Sequence, residues 1–197
     1  MHEQDYALAH AQTDQLETSK VLRNTYGLLA MTLVFSALCA FFSAQLNLPH
    51  PGFLITLVGF YGLFFLTAKL RNSGWGLLTT FALTGFMGYV LGPILNLYLG
   101  MANGGELIAS ALGMTALVFF GLSAYVLTTR KDMSFLGGFI TAGCFVLFAS
   151  ACILYQTSDI IHGGERNYVM ATISLYVSIY NLFVSLLQIF GIMGSDD

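Results

Sequence analysis

Six long apolar runs dominate this chain, and a helix crosses a bilayer in about 20 such residues. The runs cover residues 25–46, 52–68, 75–99, 107–128, 134–155 and 168–192, the second being the shortest. Short polar or Pro- and Gly-bearing links at 47–51, 69–74, 100–106, 129–133 and 156–167 separate them and leave no room for a soluble domain. Charged residues make up only 9% of the chain, against about a quarter in a soluble domain. With so few charges, most of the surface must face lipid. The sequence therefore predicts an all-α, polytopic transmembrane helix bundle over 20–197, preceded by a polar tail at 1–19.

That tail carries Glu3, Asp5, Asp14 and Glu17 and lacks the basic start and cleavage site of a secretory signal, so the first apolar run reads as a retained span. A polar, irregular segment of this kind is expected to be solvated. Six of the seven basic residues, Lys20, Arg23, Lys69, Arg71, Arg130 and Lys131, fall before span one, between spans two and three, and between spans four and five. By the positive-inside rule this makes the N-terminus cytoplasmic. Arg166 breaks the pattern. Six simple crossings put it outside and Asp196 and Asp197 inside, whereas one extra crossing before His162 would place it with the other six.

Little in the sequence suggests chemistry. The net charge of −3 and the lack of a basic patch give no reason to expect nucleic acid. Cys39, Cys144 and Cys152 sit inside apolar runs and read as small buried hydrophobes. No zinc spacing, phosphate loop or nucleophile–base pair occurs, so neither cofactor nor metal is expected and the protein does not read as an enzyme. Asp159, His162, Glu165 and Arg166 cluster at a helix end. A metal site there is conceivable, but the double glycine 163–164 favours a helix cap with solvated charges. Inside the spans the polar groups are neutral: Thr84, Asn96, Gln156, Ser178, Asn181 and Gln188. Hydrogen bonds between helices are their default role. Gly88 and Gly92, one turn apart and followed by Pro93, form a flat helix face with a kink, which serves either helix packing or a hinge beside a cavity.

The stretches 20–27 (KVLRNTYG), 85–96 (GFMGYVLGPILN), 115–120 (TALVFF), 123–139 and 158–188 closely resemble the proteobacterial inner-membrane, YccA-like branch of the Bax inhibitor-one family. The resemblance covers nearly the whole chain from Lys20 onward. It implies a seven-helix membrane fold with a cytoplasmic N-terminus. It also implies partnership with FtsH, the membrane-anchored ATP-dependent protease, as both its substrate and its modulator, shielding other substrates such as the translocon subunit SecY. In such proteins the protease begins at the tail, here Met1, His2, Glu3, Gln4 and Asp5. Two departures stand out. Residues 141–157 run straight through a place where the family has a further helical hairpin. Calcium-leak relatives carry two aspartates where this chain has Gln156 and Ser178, and neutral groups cannot titrate. The rival to the protease reading is an ion leak, of calcium or protons, through a cavity near Tyr89, Pro93 and Asn181.

Overall fold

The computed structural model describes residues 2–129 and 145–193, and over these it contains six helices and no strand. They are α1 (His2–Gln45), α2 (Phe53–Leu70), α3 (Gly74–Leu99), α4 (Gly104–Thr129), α5 (Phe145–Ile161) and α6 (Tyr168–Met193). Five are long and apolar enough to cross a membrane: α1 over Leu16–Gln45, then α2, α3, α4 and α6. The protein is a polytopic membrane bundle.

The tail differs from the sequence reading. Residues 2–19 continue α1 as helix, making it 44 residues long. No Gly or Pro occurs before Gly27, and the segment is rich in Ala, Leu, Gln and Glu, all good helix formers. At 1.5 Å per residue α1 spans about 66 Å, roughly twice the hydrocarbon thickness of a bilayer. Its first half therefore projects beyond the lipid.

Local chemistry sets the turns. Asn47 and Gly52 adopt positive φ (48° and 89°) around the Pro-bearing link between α1 and α2. The Ser73 side chain caps α3 by accepting from Trp75 N at 3.3 Å. Asn167 caps α6 through Oδ1, which accepts from Val169 N and Met170 N, both at 3.1 Å. Its Nδ2 donates to Arg71 O and Asn72 Oδ1. That side chain ties the start of α6 to the link between α2 and α3.

The outermost helix is α2, whose Leu54, Val58 and Phe65 are exposed, as suits a lipid-facing surface. Helix α6 is central, touching all five other helices. Ile173, Leu175, Tyr176, Leu182 and Leu187 form its buried side, and Leu83, Phe119 and Ile153 complete the core around it.

The two ends of the bundle are fixed by contacts. At the tail end, Glu17 meets Arg166 and Asn167 meets Arg71. At the far end, Asn96 Nδ2 donates to Ala44 O, and Gly191 lies against the Tyr98 ring. Arg166 thus shares an end with Lys20, Arg23, Lys69 and Arg71, and α6 finishes at the end away from the tail. This corrects the six-crossing arrangement, because an odd number of passages separates the two ends of the described chain. The run 134–155, read as one span, is helical from Phe145 and continues to Ile161; residues 134–144 lie outside the described residues. Helices α4 and α5 both point toward the tail end, so Thr129 and Phe145 lie at opposite ends of the bundle.

Candidate functional site

The tightest helix contact is between α1 and α3. A Cβ on Gly88 would strike the Ser36 carbonyl oxygen, and one on Gly92 would strike the Ser43 side chain. Gly85 faces the Phe35 ring on the same side of α3. Helix α3 runs through Pro93 from Gly74 to Leu99. Proline has no N–H, so the carbonyl four residues earlier, Tyr89 O, loses its helical donor. Ser43 of α1 supplies one, with Oγ donating to Tyr89 O at 2.8 Å. Gly92 is what lets Ser43 come so near. In lipid no water can satisfy a freed carbonyl, so a neighbouring hydroxyl has particular value there.

This geometry carries a testable coupling. Ser43→Ala should lower stability by about 1–2 kcal/mol, since it strands a part-buried acceptor. In a Pro93→Ala background residue 93 regains its N–H, and the same change should cost less than half as much. A double-mutant cycle of unfolding midpoints in detergent checks this, and equal costs in both backgrounds would refute the pairing.

The two neutral positions on the last helices are brought together. Ser178 Oγ donates to Gln156 Oε1 at 3.2 Å, joining α6 to α5. Two residues earlier on α6, the buried Tyr176 hydroxyl lies 2.6 Å from Ser36 Oγ and donates to Thr84 O at 3.4 Å, joining α6 to α1 and α3. Neither group of contacts contains an ionisable carboxyl.

Tyr89, Pro93 and Asn181, expected beside a cavity, do not line the tail-end cavity. Tyr89 is engaged at both ends, its hydroxyl donating to Pro49 O at 2.8 Å and its carbonyl accepting from Ser43. Asn181 is exposed on the outside of the bundle. A cavity of about 270 Å³ lies at the tail end. Glu17, Thr18, Lys20 and Val21 of α1 form one side, and Ile160, Gly163, Glu165 and Arg166 form the other. The Glu17–Arg166 pair across it is 3.6 Å long with both side chains more than half exposed, so it contributes at most about 1 kcal/mol.

The loop after α5 is a cap. Gly163 takes φ 76°, and Gly164 N donates to Asp159 O at 2.9 Å. His162 Nδ1 contacts Ser158 O at 2.9 Å, and Glu165 Oε1 accepts from Asn167 N at 2.7 Å. Burial, reinforced by the Glu165 charge and opposed by His162, pushes the Asp159 carboxyl above its ordinary range. Among the described residues no three His, Cys, Asp or Glu side chains converge as metal ligands. Of the tail positions, His2 to Asp5 lie in the first turns of α1, and Met1 is outside the described residues.

Comparison with known proteins identifies the family. The model of the family described as "Inhibitor of apoptosis-promoting Bax1" matches residues 18–150 and 143–195. This chain belongs to the Bax inhibitor-one family. An uncharacterised protein of Pseudomonas aeruginosa is 67% identical, with all of both chains covered. The Escherichia coli protein named "Modulator of FtsH protease YccA" is 54% identical over 95% of this chain and 97% of its own. An uncharacterised protein of Pasteurella multocida is 52% identical over 94% and 96%.

The Pseudomonas alignment is 222 residues long against a chain of 197, a surplus of 25. The two pieces of the family match meet at residues 143–150, where α5 begins. The family match is thus broken close to the start of α5, in a chain shorter than its alignment with that relative.

The sequence reading missed Ser36, Ser43 and Tyr176. Pro93 signalled a freed carbonyl at Tyr89, but only the fold shows which helix supplies the donor.

Proposed function

We propose that this chain is a non-catalytic regulator of an FtsH-type protease in the bacterial inner membrane, serving the protease as a substrate and restraining its attack on other membrane proteins. The observation that carries this reading is the 54% identity to the E. coli modulator over 97% of that protein's length. A namesake in another E. coli strain is called "Inner membrane protein YccA". The charge distribution supports a cytoplasmic tail. Lys20, Arg23, Lys69, Arg71 and Arg166 gather at the tail end, and Arg130 and Lys131 follow directly on Thr129. Basic residues so placed keep that end on the cytoplasmic side.

An ATP-driven protease needs a length of chain outside lipid to grip. Residues 1–19 supply it, with His2 onward continuing α1 as helix. Met1, His2, Glu3, Gln4 and Asp5 would be engaged first. Because α1 is continuous into the membrane, force on the tail acts directly on the α1–α3 contact.

Deleting residues 1–19 should lengthen the half-life several-fold in protease-positive cells and leave it unchanged in protease-deficient cells, as measured by pulse–chase. Equal turnover with and without the tail in protease-positive cells would overturn the proposed grip.

A further inference from the structure

Threonine hydroxyls buried in this bundle mostly fold back onto their own helix. Thr67, Thr80, Thr115 and Thr172 each donate to the carbonyl four residues earlier, at 2.6–2.8 Å. Thr25 and Thr157 do not. Both are 0% exposed, and neither Oγ1 has a hydrogen-bond partner among the described residues. The Ser123 and Tyr26 hydroxyls are buried and unpartnered as well.

Contacts place these four groups in the tail-end half of the bundle. Thr172 Oγ1 reaches the Thr25 carbonyl at 3.3 Å, which sets Thr25 against α6. The Tyr26 ring lies 6.0 Å from that of Phe119, and Ser123 is one turn nearer the tail end on the same face of α4. Thr157 is one turn from Ile160 on α5, and Thr25 is one turn from Val21 on α1. Val21 and Ile160 line the tail-end cavity. Thr25 and Thr157 therefore lie one turn below residues that line it, with Tyr26 and Ser123 on the adjoining stretches of α1 and α4.

An unpaired buried hydroxyl is costly, and four at one end of a dry core would be a heavy penalty. Buried water removes it, each molecule typically serving two to four polar groups. We infer that Thr25, Tyr26, Ser123 and Thr157 border an internal water site continuous with the tail-end cavity. The bundle is thus wet one turn below that cavity. This assignment does not depend on the protease reading.

The test uses the full-length chain in lipid nanodiscs with Cys39, Cys144 and Cys152 replaced by Ala. Ser123→Cys and Thr157→Cys are exposed to a small cationic methanethiosulfonate reagent, with Leu83→Cys as an equally buried control outside this group. Both should react at least tenfold faster than the control, and a smaller ratio overturns the site. Where a cysteine variant fails to fold, Thr157→Val decides. Loss of a hydrated hydroxyl lowers the thermal midpoint, whereas loss of a dry orphan leaves it unchanged or raises it, which refutes the proposal.

Discussion

Gly88→Ala should lower the thermal midpoint of the purified protein, and Gly88→Leu should yield no stable bundle at all. Two effects of opposite sign compete in the alanine variant. Removing a mid-helix glycine favours the helix by about 0.5–1 kcal/mol. The added Cβ, however, falls on the Ser36 carbonyl oxygen, a backbone atom that moves only if α1 moves. Overpacking of this kind costs about 1–3 kcal/mol, so the steric term wins. At Gly62 no atom lies within 4 Å of an added Cβ, so there the helix term acts alone. Gly62→Ala should be neutral or slightly stabilising. If the Gly88 and Gly62 variants melt alike in detergent, the close α1–α3 crossing does not hold the bundle together.

Inserting a relative's extra segment between Thr129 and Phe145 should raise the amount of folded protein in membranes severalfold. Residues 130–144 number fifteen, and the helix ends that bracket them are at opposite ends of the bundle. A helical crossing takes about 20 residues. Adding the 25-residue surplus of the Pseudomonas relative brings the connection to about 40 residues, enough for a crossing and a turn. A gain of about 1–2 kcal/mol in stability is enough to change abundance several-fold. Membrane levels and detergent melting of the graft, compared with the original chain, decide the matter. An unchanged or lower level would show that the short connection is no handicap.

Much of this architecture is legible in the sequence because lipid imposes a simple length rule. The ends of α2, α3, α4 and α6 fall within a few residues of the apolar runs, since polar links cannot stay in hydrocarbon. Arg166 carried information as well. Its mismatch with six simple crossings reflects the true position of its loop, next to Glu17 at the tail end. The tail was misread because polarity was taken for irregularity, whereas the Ala- and Gln-rich segment has every propensity for helix. The polar pairings were not legible. Ser43–Tyr89, Ser36–Tyr176 and Gln156–Ser178 join residues 46, 140 and 22 positions apart, and which helices become neighbours is decided by packing that no local pattern encodes.

Helix α6 touches all five described helices that precede it in the chain. Order of synthesis therefore matters. While the ribosome makes α1 to α5, each inserts without its shared neighbour, and Leu83, Phe119 and Ile153 have no α6 side chains to pack against. The core closes only when α6 arrives. Until then the nascent bundle is an open sheaf of helices, with its α1–α3 pair formed and its centre still accessible to lipid and to quality control.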